Sequence, residues 1–207
     1  MINLTKKIQI WGLTGGIGSG KSIAARFFEE AGISVINLDY LGRAILDSDT
    51  SVHKDLRQLF GEEIFLKEKI NRQAIREIIF KDSKKRQALE KILHPKIWEL
   101  FNLKAETKAK EGAKLVLCEA ALLIEHNHTK LFPRLIVIMA SPEIRRQRVM
   151  LRDLMAPELF NDILKSQTSD EIRKSVATHL IWNESNEKEL KKSVELLITQ
   201  WKKDRLI

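Results

Sequence analysis

The sequence holds a single cysteine, Cys118, among its 207 residues. A lone thiol excludes an intramolecular disulfide framework and fits a reducing compartment. No apolar run approaches the roughly 20 residues a helix needs to cross a bilayer. The opening stretch MINLTKKIQIWGL is broken by lysines and a glycine, so it has neither the apolar segment nor the cleavage site of a secretory leader. The expectation is a cytoplasmic protein. Internal repeats and low-complexity tracts are absent too. The net charge is +8, but the lysines are scattered among glutamates. That dispersal argues against nucleic acid as the main partner and suits an enzyme whose ligands are polyphosphates.

What is present is ordinary for a globular chain, with 43% hydrophobic and 31% charged residues. The length suits one core with a small inserted or flanking lobe. KIQIWGLTG reads as a first strand. KSIAARFFEEAG reads as a helix, with Ile23, Ala24, Phe27, Phe28 and Ala31 on its apolar face and a stop at Gly32. ISVINLD reads as a second strand ending in Asp39. A strand, a crossover helix and a strand in so short a unit imply parallel pairing. KLVLCEA and RLIVIMA are near-continuous apolar runs, as expected of strands covered on both faces, and HLIWN is a fifth. A helix from Glu187 to Lys203 closes the chain, capped by Ser185 or Asn186.

Between the second and third strands no convincing strand is legible. NRQAIREIIF, SKKRQALEKIL (capped by Asp82 or Ser83) and PKIWELFNLKAETKAKEG (opened by Pro95) read as three helices. The predicted organisation is a single α/β domain. Its core lies at about residues 8–39, 113–144 and 177–207. A helical substrate-binding lobe occupies about 40–112, and an arginine-rich lid carrying Pro157 occupies about 145–176.

One motif carries chemistry. GGIGSGKS, Gly15 to Ser22, fits G-x-x-x-x-G-K-[ST] and stands where that motif must, after a strand and opening a helix. Glycines let backbone N–H groups turn inward around a phosphate, and the helix start adds its positive end. Lys21 can reach β- and γ-phosphates, and the Ser22 hydroxyl can ligate Mg²⁺. The loop therefore points to a nucleoside triphosphate, not to the acceptor, since GTPases, motor ATPases and kinases share it. As the acid ending the second strand, Asp39 is expected at the carboxyl edge of the sheet, beside the loop. It can take the proton of an attacking hydroxyl or cap the helix YLGRAIL. Arg43, one turn further on, suits an anionic substrate or pairs with Asp39.

The series LTGGIGSGKS, GISVINLDYLGR, NRQAIREIIF, LHPKI and EAALLIE resembles the dephospho-CoA kinases, in matching order from about Gln9 to Asn183. The resemblance implies a P-loop three-layer sandwich with a five-stranded parallel sheet. It implies transfer of the ATP γ-phosphoryl group to the ribose 3′-hydroxyl of dephospho-CoA, with Mg²⁺. By the same resemblance, Gly15, Gly16, Gly18, Ser19, Gly20, Lys21, Ser22 and Ile23 hold the ATP phosphates. Asp39 matches the second acid of the family's Asp-x-Asp and becomes the base, with Lys21 also catalytic. Arg43, Arg72, Arg76, His94 (followed by Pro95) and Glu125 fall at substrate positions. Glu119 falls where a carboxylate orients Mg²⁺ or its water, Arg148 and Arg152 at lid arginines, and Asn183 near the adenine site.

The sequence also departs from the family pattern. Asn37 replaces the first acid of Asp-x-Asp, Ile23 a usual threonine and Ala121 a usual proline. Thr178 or His179 stands in place of an aspartate. Arg145 and Arg146 read as a solvated face. Trp98, Phe101 and Leu103 read as pantetheine-groove lining or a packing face, His126 and His128 as solvent-exposed rather than a metal pair, and Cys118 as inert core. Two other functions stay open: a different small-molecule or nucleotide kinase, and a non-catalytic nucleotide- or nucleic-acid-binding protein. The expected partner is a small molecule, without membrane, acting on a monomer or weak homo-oligomer.

Overall fold

A computed structural model describes residues 8–67, 69–153 and 155–207. Residues 1–7, and with them most of the opening stretch read for a leader, lie outside the described residues. The chain forms two compact units. One is Leu38–Lys104. The other comprises the described residues up to Asn37 together with Ala105–Ile207.

The second unit holds the sheet. β1 (Gln9–Gly15) runs into a glycine-rich loop and then α1 (Lys21–Glu30), and β2 (Ser34–Asn37) follows. After the helical unit come β5 (Leu115–Glu119), β6 (Leu135–Met139), α6 (Pro142–Asp153), α7 (Pro157–Ser166), α8 (Asp170–Val176), β7 (His179–Trp182) and α9 (Glu187–Lys203). The strand order is β2-β5-β1-β6-β7, and every pair is parallel. β5 and β6 are buried at every position, which is why their sequences are apolar throughout rather than alternating. One core cluster forms from Trp11 and Leu13 of β1, Phe27 and Phe28 of α1, and Leu190, Val194, Ile198 and Trp201 of α9. Trp201 meets Trp11 edge-on at 4.8 Å and stacks on Phe28 at 5.7 Å. Asn186, one of the two caps expected for α9, accepts from the Glu189 N–H.

The helical unit contains α2 (Leu38–Ser48), α3 (Thr50–Phe60), α4 (Arg72–Lys81) and the first 22 residues of α5 (Ser83–Lys110). Its own core joins Ile45, Val52, Leu56, Phe60, Ile64, Ile75, Leu89 and Leu93. Three expectations are corrected here. The second strand stops at Asn37, so Asp39 does not end a strand and is not a cap. Leu38 is buried and begins α2 directly, which places Asp39 in its first turn. Pro95 does not open a helix but lies inside α5, because Leu93 and Trp98 on either side are buried. The lost Pro95 donor costs less than unpacking them. Finally, the unit contains a two-residue hairpin, β3 (Phe65–Leu66) with β4 (Lys69–Ile70), too short to leave a periodicity. No helix among the described residues is long and apolar enough to cross a membrane.

Candidate functional site

The loop from Gly15 to Gly20 grows out of β1, the middle strand of the sheet, at its carboxyl end. Gly20 has φ 90°, a left-handed conformation that disfavours any side chain. A Cβ there would also run into the Asn183 side-chain amide. The turn closes with Ile23 and Ala24 N–H groups bonded to the Gly20 carbonyl as α1 begins. The first turn of α1 carries no acidic residue, so its positive end is uncompensated from within the helix.

Glu119 ends β5 beside this helix start and is 3% exposed. Three donors converge on it. Lys21 Nζ donates to its Oε1 at 2.6 Å, and the Ser22 hydroxyl donates to the same oxygen at 3.1 Å. Asn37, from the end of β2, donates through Nδ2 to Oε2 at 2.7 Å. The register explains the meeting, because Asn37 lies opposite Glu119 across the β2–β5 pair. The asparagine read as a departure is thus the neutral donor that completes the carboxylate's bonding. A buried acid in its place would face Glu119 as a like charge.

A cavity of about 800 Å³ adjoins the loop, and the whole set expected to hold ATP lines it. That set is Gly15, Gly16, Gly18, Ser19, Gly20, Lys21, Ser22, Ile23, Arg148, Arg152 and Asn183. Asn183 is 4% exposed. Its amide donates to the Ser19 carbonyl at 2.8 Å, and its own oxygen accepts from Arg148 Nη2 at 3.2 Å. Arg148 Nη2 also donates to the Ser185 carbonyl at 2.8 Å, while its Nη1 is buried without a hydrogen-bond partner among the described residues. The Ser19 hydroxyl is likewise buried and unpaired. Arg152 is exposed and forks onto Asp153 with two 2.7 Å bonds, which raise its pKa further.

Sequence reasoning missed what lies behind the loop. Arg145 is not solvated. It is 3% exposed and paired to Asp170 at 2.8 Å. Arg173, 2% exposed, bonds Asp170 at 3.0 Å and Glu125 at 3.2 Å. Glu125 also accepts from the Thr168 N–H at 2.9 Å. The signal for these residues was weak, because the partners stand 25 and 48 positions apart in the chain.

Of the expected acceptor-side residues, Asp39, Arg43, Arg72, Arg76 and His94 lie in the helical unit, whereas Glu125 lies in the unit that holds the sheet. Asp39 and Arg43 are exposed, and neither has a side-chain hydrogen bond or ion pair among the described residues. Arg72 is 3.5 Å from Asp47, Arg76 is exposed, and His94 is half-buried. A cavity of about 530 Å³ in this unit is lined by Ser48, Asp49, Thr50, Lys96, Glu99 and apolar neighbours. Arg43, Arg72, Arg76 and His94 are not among its lining residues.

Comparison with known proteins adds an independent finding. The dephospho-CoA kinase family model matches residues 9–189. A dephospho-CoA kinase of Fusobacterium nucleatum is 35% identical over 189 residues, 91% of this chain and 96% of that protein. Among solved structures, TT1252 from Thermus thermophilus superposes with a TM-score of 0.82 at 27% identity, covering 94% of this chain and 98% of that one. Dephospho-CoA kinase from Campylobacter jejuni gives 0.70 at 25% identity, covering 95% and 98%.

Proposed function

Because the chain belongs to the dephospho-CoA kinase family, and is therefore an ATP-dependent kinase, we propose that it phosphorylates the ribose 3′-hydroxyl of dephospho-CoA in the cytoplasm. The observation that supports the donor half is the single cavity gathering the glycine loop, Lys21, Arg148 and Asn183. Lys21, held on Glu119 in the structure, exchanges that contact for the β- and γ-phosphates. Backbone N–H groups of Gly18 to Ser22 and the start of α1 bind phosphate oxygens. Arg148 and Arg152, which both line the cavity, neutralise charge on the transferring group.

Asp39 is the base. As an exposed carboxylate with no side-chain partner among the described residues, it is available to orient and deprotonate the acceptor hydroxyl. Arg43, Arg72, Arg76 and His94 bind the acceptor's anionic parts. Glu125 is assigned here to the Arg173 pair rather than to substrate, because Arg173 and the Thr168 N–H already engage its carboxylate.

Mg²⁺ fits the residues present. The Ser22 hydroxyl and Glu119 carboxylate are hard oxygen donors 3.1 Å apart, suited to an ion completed by phosphates and water. When bound it would neutralise phosphate charge.

The test measures ADP release with ATP, Mg²⁺ and dephospho-CoA beside AMP, adenosine and shikimate, using wild type and Asp39→Asn. Turnover with dephospho-CoA alone is expected. The variant should lose about 10²–10⁴-fold in kcat, with stability lowered only by the about 0.3–1 kcal/mol that an acid in the first turn of α2 contributes. Absent turnover, or turnover indifferent to Asp39→Asn, refutes the substrate or the base respectively.

A further inference from the structure

Two guanidinium groups are buried directly behind the phosphate loop, and the reaction as described uses neither. Arg145 comes from α6 and Arg173 from α8, and Asp170 bridges them, Oδ2 to one and Oδ1 to the other. Both press on the same point. A Cβ built on Gly16 would lie 2.6 Å from Arg145 Nη1 and 3.3 Å from Arg173 Cζ. At Gly18 it would lie 2.6 Å from the Arg145 carbonyl. Next to this contact, Gln167 Oε1 accepts the Ile17 N–H at 3.0 Å, and Arg173 Nη2 reaches the same oxygen at 3.4 Å. Glu125, in the turn after β5, receives Arg173 and the Thr168 N–H. Three separate segments thus meet at Gly16 and Ile17, and Glu125 holds one of them through Arg173.

Burying two cations is expensive even when they are paired, and apolar residues of similar volume serve stability as well or better. The Arg145 Nε atom has no hydrogen-bond partner among the described residues, and burial pulls this guanidinium's pKa down against the opposing pull of Asp170. A stability role alone is therefore a poor account of the cluster. A glycine-rich loop has a different need. Its N–H groups must point at phosphate before the nucleotide arrives, and ordering a soft loop on binding weakens affinity.

We propose that Asp170, by joining Arg145 and Arg173 behind Gly16, and Gln167, by fixing the Ile17 N–H, form a buttress that sets the phosphate loop for the donor nucleotide. Asp170 is a positioning residue outside the cavity lining, and Gln167, although it lines the cavity, acts on the loop through its bond to the Ile17 N–H. The proposal rests on the reading that the loop binds ATP. It has a directional consequence: loss of the buttress weakens ground-state and transition-state binding alike, which raises KM for ATP and leaves kcat nearly intact.

The experiment uses the full chain with Asp170→Asn, Gln167→Ala and the double variant. It reads the Kd for Mg·ADP by calorimetry, KM and kcat for ATP, and Tm without ligand. Each single variant is expected to raise Kd and KM by about tenfold with kcat within about twofold. The double variant should fall well short of the product of the two, because both act on one loop. Unchanged Kd and KM in folded variants, whatever happens to Tm, would overturn the buttress, and so would strictly multiplicative effects. If Asp170→Asn does not fold, Gln167→Ala decides by the same Kd and KM criteria. The ADP arm contains no acceptor. A wild type that binds ADP yet leaves dephospho-CoA untouched would therefore sink the function and still decide the buttress.

Discussion

Replacing Lys21 by methionine should destabilise the nucleotide-free protein as well as silence it. Among the described residues Lys21 is the only cation bonded to Glu119, at 2.6 Å, and the two side chains are 11% and 4% exposed. Removing one partner of a buried ion pair typically costs about 3–5 kcal/mol. Here Ser22 and Asn37 still donate to the carboxylate, which keeps the loss toward or below the lower end, about 2–3 kcal/mol. An opposing effect is small: taking a positive charge from the first turn of α1 returns about 0.3–1 kcal/mol. The net is about 2 kcal/mol, or about 4–8 °C in Tm for a chain of this size. Thermal and urea unfolding without nucleotide would measure it. Lys21→Met combined with Glu119→Gln should recover most of the stability, since the uncompensated charge is gone, yet recover no kinase activity. Equal stabilities for wild type and Lys21→Met, or no recovery in the double variant, would refute the reasoning.

Asn183→Ala should raise KM for ATP and lower stability by about 1–3 kcal/mol, because a buried amide that bonds the Ser19 carbonyl and Arg148 is lost. Unfolding and kinetics together check both halves. His179 gives a pH dependence of stability. Burial, and then the Arg134 charge, hold its pKa below the ordinary 6.5. The unfolded chain takes up a proton as pH falls through 6.5 while the folded chain does not, so this contribution is full above that value and is lost below it. The Tm of His179→Gln should accordingly fall less between pH 7.5 and 5.5 than that of the wild type, and parallel curves would reject the assignment.

The sheet and its loop were legible because their causes are local. Gly15 to Ser22 punctuates the chain between an apolar strand and an amphipathic helix, and strands buried on both faces have no choice but apolar runs. The helical unit was less legible where packing overrides propensity. Pro95 reads as a start signal, yet Leu93 and Trp98 carry α5 past it. Asp39 reads as the end of a strand, yet burial of Leu38 starts α2 one residue before it. At the site, the loop residues that line the cavity were readable from the motif. The charges behind them were not, since Arg145 and Arg146 are neighbours in a polar helix and only the distant Asp170 tells them apart. Asn37 stood out as a departure, while its purpose became visible only beside Glu119.

Cys118 lies in β5 between Gly12 of β1 on one side and Ile36 of β2 on the other, with no exposed surface. Its side chain points out of one face of the sheet, so a thiol reagent reaches it only when the layer packed on that face opens. The one sulfhydryl of the chain is therefore a clock for that opening. Its labelling rate follows the population of opened molecules when reclosing is fast, and slows by the factor that any nucleotide adds to the closed state.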